Sequence, residues 1–442
     1  MTKKTKRGLM WFRHDLRIHD NHALNYLANE VDELLCVYVV DPRWFKPSHF
    51  QSMHMGDFRW QFLKESLFSL NKQLQKLGQN LIVMTGVPVP TLDSLIKQHN
   101  IVEVASNFYT GTYERQQWQR LKEQNQTVKF SQFEGHCLLN QSQMPFSVSD
   151  LPNHFTPFRK KVESIAITPP LPAPSTLPTP WRYQGEHLTI VTDVGSSAFQ
   201  GGMEAATTQL NHFLQNSHSV SHYKQTRNGL DGWDYSSKFA PWLANGSLSI
   251  RQAYDALQQY EINYTRSEST YWLYFEFLWR EFFHWSLLKH GSKVFKFDGI
   301  QGKKPLTTFH ARRFNAWKNG ETPYPIVNAC MHQLNATGFM SNRGRQLVAS
   351  CFVHELGLDW RFGAAYFEQQ LLDYDPASNW GNWQYLAGVG ADPRGHRKFD
   401  LDKQTQIYDP KGEFIRRWRG EAVALVDTED AADWPIFSPT RH

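Results

Sequence analysis

The 442-residue chain is poor in the features that mark several protein classes. Cysteine occurs only at Cys36, Cys137, Cys330 and Cys351, never as a C-x-x-C pair, so neither a zinc ribbon nor a disulfide framework is suggested. A reducing, cytoplasmic setting is the expectation. The basic start "MTKKTKRG" runs directly into "LMWFRHDLR" and lacks the apolar run of a signal peptide. No apolar stretch has the length of a membrane span, so no membrane partner is expected. The N-terminal region carries neither G-x-G-x-x-G nor a Walker loop, which leaves a dinucleotide or phosphate-cradle reading there without a motif. Excess charge is small: 47 basic against 42 acidic residues give a net +5, which permits a nucleic-acid partner without requiring one.

Aromatic residues are abundant instead. Sixteen tryptophans are present, and Trp rings serve as packing or stacking platforms. The stretch "TYWLYFEFLWREFFHW", residues 270–285, sets many rings around Glu276, Arg280 and Glu281.

Along the chain, "GLMWF" and "LLCVYVV" read as buried strands with the helical pattern "NHALNYLANE" between them, a βαβ unit. The alternation continues through helices near 57–77, 90–99 and 111–124 and the strands "LIVMTG", "IVEVASNF" and "TVKFSQF". Residues 1–135 are therefore expected to form an α/β N-terminal Rossmann-like domain with an open, mainly parallel sheet. Residues 136–200 read as a Pro-rich interdomain linker, because "ITPPLPAPSTLPTP" cannot be a helix or a central strand. From 201 to 442 strand signals vanish and an all-α C-terminal domain is expected, with helices at 202–216, 249–260, 266–290, 322–337, 343–356, 361–372 and 380–388. No internal repeat is visible.

On the helix around 266–290, Trp272, Glu276, Trp279, Arg280 and Phe283 share a face, since spacings of three, four and seven bring side chains together. Two readings stay open. The helix could pack at a domain seam with Glu276 and Arg280 as an i,i+4 pair, or it could wall a cavity for a flat aromatic ligand with polar edges.

The segments "WFRHDLRIHDNHAL", "DYSSKFAPWLANGSLSIRQAY", "YFEFLWREFF", "YPIVNACMHQLNATGFMSNRGRQLVAS" and "DWRFGAAYFEQQLLDYDPASNWGNWQY" resemble the DNA photolyase and cryptochrome family, in the same order, from residue 8 to about 418. The closing "GVGADPRGHRKFDLDKQTQIYDPKGEFIRRW" is most similar to the cryptochrome DASH branch. The resemblance implies FAD in an all-α FAD-binding C-terminal domain, light-driven electron transfer, and an antenna chromophore at the α/β domain.

Carried over residue by residue, the resemblance assigns cofactor binding to Tyr223, to Ser236, Ser237, Lys238 and Phe239 ahead of a helix starting near Pro241, and to Arg280, Arg345, Asp373, Asp375 and Asn379. Ser236 and Ser237 offer donors to phosphate, Lys238 adds charge, and a helix N-terminus favours anions. Ala240 stands where the family usually shows Ser. Without the family, "SS" is an N-cap region, and Asp373 and Asp375 cap the following helix. Asn379 falls beside flavin N5, where an amide tolerates reduced, anionic flavin better than a carboxylate would.

Trp383, Trp360 and Trp317 match the tryptophan chain for photoreduction, running from flavin to surface in that order. Substrate recognition falls on Glu276, Trp279, Asn342, Arg343 and Gln346, with Tyr385 opposite, and the catalytic set is Glu276, Trp279, Asn342 and Asn379. A flipped cyclobutane dimer is flat and apolar with polar edges, so a Trp face stacks on it while Glu and Asn bond its edges. Tyr385 and Gln346 replace the second Trp and the Met usual in bacterial dimer photolyases. A smaller, more polar pocket compensates less for pulling a dimer out of duplex DNA. The six-four branch, with histidines where Asn342 and Gln346 stand, is disfavoured.

Glu114 and Lys293 are the expected contacts of a methenyltetrahydrofolate antenna. His14, His19 and His22 belong to the N-terminal signature, and no metal is expected. The function expected is blue-light repair of cyclobutane pyrimidine dimers by FAD. The substrate would be single-stranded DNA, with looped duplex DNA or RNA as further partners of a monomer. The alternatives are a blue-light photoreceptor binding nucleic acid without efficient repair, against which the short segment after Trp418 weighs, and a flavin-free adaptor.

Overall fold

A computed structural model of the chain describes residues 5–181, 183–190, 198–392 and 397–425. Five strands, β1 (Arg7–Phe12), β2 (Glu33–Val40), β3 (Leu81–Thr85), β4 (Glu103–Asn107) and β5 (Lys129–Phe133), form a parallel sheet in the order β3-β2-β1-β4-β5. The crossovers are α1 (His22–Glu30), α2 (Asp57–Lys76), α3 (Pro88–Gln98) and α4 (Thr112–Gln124).

Because successive strand side chains face opposite ways, β1 feeds two cores. Met10 and Phe12 pack with Leu24, Leu27, Leu63 and Leu67 of α1 and α2. Leu9 and Trp11 pack with Leu92, Leu95, Trp118 and Leu121 of α3 and α4. Strands buried on both faces read as continuous apolar runs, which is why "GLMWF" and "LLCVYVV" were legible.

The segment expected to be a linker holds two elements. Helix α5 (Phe155–Val162) precedes the proline run and carries Pro157 in its first turn, where a missing N–H costs nothing. Short strand β6 (Thr179–Pro180) pairs with the start of β2. Thr179 N and Trp181 N donate to Asp32 O and Leu34 O, so Pro180 falls between the donor positions.

From residue 203 onward the described chain is helical: α6 (Met203–Asn211), α7 (Tyr223–Thr226), α8 (Ala240–Asn245), α9 (Ile250–Asn263), α10 (Glu268–His290), α11 (Ala311–Asn319), α12 (Pro325–Thr337), α13 (Asn342–Ser350), α14 (Trp360–Gln370), α15 (Pro376–Leu386), α16 (Leu401–Tyr408) and α17 (Glu413–Arg417). The helices expected at 202–216 and 343–356 are α6 and α13, each ending in a wider π turn, His212–Asn216 and Cys351–Glu355. Helix α10, about 35 Å long at 1.5 Å per residue, is the axis of this half. Ser267 caps its start by accepting from Thr270 N. Its buried residues, from Leu273 to Leu287, lie around much of its circumference, as in a core helix.

The two halves dock closely. Gly246, at φ +76°, ends α8 where an added Cβ would lie 2.1 Å from His14 O, so a side chain there would collide with backbone. Arg17 Nη1 donates to Gly246 O at 3.0 Å. Beneath this contact Asp20 and Arg251, both without exposed side-chain area, form an ion pair at 2.9 Å. Among the described residues no helix is long and apolar enough to cross a membrane.

Candidate active site

A cavity partly open to solvent lies between α13, the end of α14, and α15. Its walls bring together seven expected residues: Asn342, Arg345, Gln346, Asp373, Asp375, Asn379 and Trp383. The bend "LLDYDP" builds it. Pro376 opens α15, and Asp375 caps that helix by accepting from Ser378 N at 2.8 Å. The capping reading and the cavity reading of Asp375 are both realised.

Asp373 accepts from Arg345 Nη2 at 2.8 Å through Oδ2. Its Oδ1 is buried without a hydrogen-bond partner among the described residues, as is the Nε1 of Trp383. Buried polar atoms are nearly always paired, so these two fit a polar ligand in the cavity. Asn379 donates from Nδ2 to Ala364 O at 3.0 Å, which turns its carbonyl oxygen the other way.

Arg280 does not pair with Glu276. Its guanidinium donates to His136 Nε2 at 2.8 Å and to His136 O at 3.0 Å. His136 Nε2 lies 3.2 Å from His284 Nε2, which lies 3.4 Å from Asp375 Oδ2. Tyr109 OH donates to Asp375 Oδ1 at 2.9 Å, and Thr110 Oγ1 meets His284 Nδ1 at 2.8 Å. Arg280 thus reaches the cavity through two histidines.

Burial, with Arg280 and the neighbouring ring adding to it, holds His136 well below the usual histidine range, and burial holds His284 at about 3. Both are neutral. Asp375, although its burial opposes ionisation, is held at about 2 by His284, which carries charge only in that acid range, by the guanidinium of Arg280 and by bonds from Ser378. His136, His284 and Asp375 are metal-ligand types within 4.8 Å of one another, but Arg280 already engages the lone pair of His136, and its charge opposes a cation.

The segment from Tyr235 to Phe239, where phosphate binding is expected, sits beside this cavity: Lys238 and Arg345 share the ring of Phe339. Lys238 is 4% exposed at φ +58°, and its Nζ has no hydrogen-bond partner among the described residues. The amine lies over Tyr235 at 3.2 Å and near Phe339 at 4.8 Å, the ring that Arg345 also covers at 5.7 Å. Burial is the main cause that lowers Lys238 to about 6. Helix α8 is only six residues long, so its dipole is small. Ser237 O accepts from Gln209 Nε2 at 3.0 Å, next to Ser236. Phe239 and Tyr223 are buried against Phe213. These residues fit a dianionic diphosphate beside a cavity with unpaired polar atoms.

On the adjacent face of α10, Trp279 is half-buried, with Tyr385 edge-on at 6.2 Å. One face of Trp279 stacks on Phe155 of α5 at 3.8 Å and 10°. Glu276 is bonded to Arg227 Nη1, a partner the sequence did not suggest. Burial raises the Glu276 carboxyl although Arg227 acts in the opposite direction. Arg343 turns to Asn228 at 3.1 Å and lies over Tyr408 at 4.6 Å.

The expected tryptophan order, with Trp317 at the surface end, is corrected. Trp317 has no exposed area, donates to Val348 O at 2.9 Å, and lies 6.1 Å from Trp383. Trp360 is equally buried, donates to Phe297 O, and packs on Trp380 at 5.7 Å. Collinear motifs cannot report depth, which is set by the packing of α11 under α13.

Glu114 lies on the first turn of α4 with its carboxylate 2.9 Å from His14 Nε2, and Arg13 Nη1 donates to its backbone. Although burial opposes ionisation, His14 and Arg13 lower the Glu114 carboxyl. Lys293 is exposed on the turn Gly291–Phe295, close to α4: a Cβ on Gly291 would lie 3.9 Å from Arg115 Nη2. Of the residues the sequence reading missed, His284 had a signal, four positions after Arg280 on one helix. Tyr109, His136, Phe155 and Arg227 had none, being distant in sequence from what they touch.

The chain matches the family models described as DNA photolyase over residues 8–175 and FAD binding domain of DNA photolyase over residues 272–438. A curated relative named cryptochrome DASH, from Idiomarina loihiensis, is 49% identical over 433 residues, covering 97% of this chain and 96% of the relative. The crystal structure of a Synechocystis cryptochrome superposes with a TM-score of 0.89 at 40% identity, covering 94% of this chain and 89% of that one. A class III photolyase from Agrobacterium tumefaciens gives 0.83 at 27% identity, covering 95% and 87%. The chain belongs to the DNA photolyase and cryptochrome family and is most like cryptochrome DASH.

Proposed function

We propose that the protein is a light-driven repair enzyme for cyclobutane pyrimidine dimers, acting preferentially on single-stranded or looped DNA. The observation that carries this reading is Trp279, half-buried, with one face covered by Phe155 and Glu276 one helical turn before it. An aromatic face with a hydrogen-bonding acid at its edge suits a flat dimer with carbonyl edges.

Reduced FAD, when bound, supplies the light-excited electron; the chain supplies binding, orientation and a controlled electrostatic environment. Lys238, Ser236 and Ser237 would hold the diphosphate, and Asp373, Arg345 and Asp375 the polar edges. Asn379, its amide nitrogen bonded to Ala364 O, would offer its carbonyl oxygen to the flavin. Trp383, nearest the cavity of the three tryptophans, would be the first donor in photoreduction. On the substrate side Trp279 stacks on the dimer, Tyr385 closes the far edge, and Asn342 and Gln346 bond the base edges. Glu276, its carboxyl raised by burial although Arg227 opposes this, would donate to a dimer carbonyl oxygen when protonated. The polar Tyr385 and Gln346 favour a dimer already free of a duplex.

Glu114 and Lys293, on elements that meet across the seam, would hold a methenyltetrahydrofolate antenna. Added folate should then produce a near-ultraviolet absorption band that Glu114→Gln loses.

The test is illumination of the reduced holoprotein with matched single-stranded and duplex thymine-dimer oligonucleotides. Light-dependent loss of dimer mainly from the single strand is the expected result. Equal loss from both would remove the strand preference. Loss from neither, with FAD still bound, would replace repair by photoreception.

A further inference from the structure

We infer that the N-terminal half of α10 carries a base-stacking track that continues the lesion pocket and binds the single-stranded nucleotides flanking a dimer. The inference rests on the DNA-repair reading and adds a second contact region to it. From the face of Trp279 that Phe155 covers, rings continue without a gap. Phe155 meets Phe275 edge-on at 5.1 Å, and Phe275 meets Trp272 at 5.0 Å and 31°. Phe275 and Trp272 are half-buried, so part of each ring faces solvent.

Three cations lie over this strip. Arg159 sits 5.6 Å from the centre of Phe275, while Lys224 and Arg227 each sit 5.4 Å from that of Trp272. Each also faces an acid: Glu163, Glu268 and Glu276 respectively. The Lys224–Glu268 pair is open to solvent and worth little, so Lys224 is free to exchange its partner for phosphate, while the Arg159 and Arg227 pairs are half-buried.

Rings interleaved with cations are the pattern that binds single strands, the rings taking base faces and the cations the backbone. Trp272 and Trp279 are about 10 Å apart along the helix, room for two or three bases at roughly 3.4 Å each. A duplex cannot use the strip, because its base faces are already stacked. Strand preference would then come from the flanking bases as well as from the lesion pocket.

The test measures binding of the dark, oxidised holoprotein to a labelled ten-nucleotide oligothymidylate with one central thymine dimer, with a thymine-dimer dinucleotide as competitor. Trp272→Ala should weaken the ten-nucleotide strand about tenfold and the dinucleotide less than twofold, with Phe275→Ala similar in pattern. Trp272→Phe should recover most of the loss. Lys224→Gln should reduce the slope of log affinity against log salt by about 0.7. Unchanged affinity of both alanine variants for the strand would overturn the track. Equal loss of strand and dinucleotide would overturn it too, since Trp272 would then act only by supporting Arg227 and Glu276. If the wild type binds damaged and undamaged strands alike and ignores the dinucleotide, the lesion-pocket reading fails. A length-dependent loss in Trp272→Ala would still uphold the track.

Discussion

Glu276 and Lys238 are placed where ordinary titration is reversed by burial, and both consequences are measurable. Burial raises the Glu276 carboxyl, so its protonated form persists to higher pH than an exposed glutamate allows. As the proposed donor to the dimer, Glu276 should make the repair yield per photon fall as pH rises through that raised value. Glu276→Gln, which keeps a donor, should flatten the pH profile. Glu276→Ala should lower the yield about three- to tenfold, the worth of one hydrogen bond, with FAD retained; full repair by that variant would remove Glu276 from the mechanism.

Lys238 is lowered to about 6, so above that pH the free amine is mostly neutral. A bound diphosphate stabilises the ammonium, so FAD binding should take up close to one proton at pH values above 6, and affinity should fall as pH rises. Calorimetry of the apoprotein with FAD in two buffers of different ionisation heat reads this uptake. Lys238→Met should abolish it and weaken FAD about 10- to 150-fold, the worth of a charged hydrogen bond. Equal heats in both buffers with wild type would show the amine already charged.

At the scale of elements, the cavity is set by how α14 and α15 approach. Gly363 of α14 faces Trp383 of α15, and a Cβ there would lie 2.2 Å from the indole ring. Gly363→Ala should cost about 1–3 kcal/mol by overpacking, read by thermal unfolding, and should slow photoreduction by displacing Trp383. A variant with normal stability and normal photoreduction would mean the two helices separate without disturbing the indole. Trp317, buried under α13, belongs to the same packed layer as Trp383. The sequence reading found α10, α12, α14 and α15 because their apolar spacing is strong. It missed α5, α7, α11, α16 and α17, which are short, partly polar and held by tertiary contact.

For the whole molecule, the seam between sheet and helices unites the two halves. Asp20 accepts from Arg251 Nε at 3.0 Å and from Leu171 N at 3.1 Å, and also from Ser249, joining the first crossover, the proline run and α9. Removing one partner leaves a buried charge unpaired, so Asp20→Ala should cost about 3–5 kcal/mol. Denaturant unfolding should then show the halves separating in two transitions where wild type shows one. A single transition at the wild-type midpoint would mean that packing around Gly246 suffices. The histidine pathway from Arg280 to Asp375 crosses the same seam, because Tyr109 and Thr110 come from the sheet and His284 and Asp375 from the helices. The environment of Asp375 therefore depends on docking of the two halves.

The sequence by itself determined the parallel sheet, the helical half and the family, because apolar periodicity is local and the long motifs are collinear. It also named the cavity residues Asn342, Arg345, Asp373, Asp375 and Asn379, which lie in two short motifs on neighbouring helices. Only the tertiary structure decided the partners of these residues. Arg280 goes to His136 and Glu276 to Arg227, Phe155 covers Trp279, and Trp317 lies deep in the core. Each of these depends on a contact between positions tens to more than a hundred residues apart. A charged or aromatic side chain takes whichever partner the fold brings within 3 to 6 Å of it, and spacing along one helix does not encode that choice.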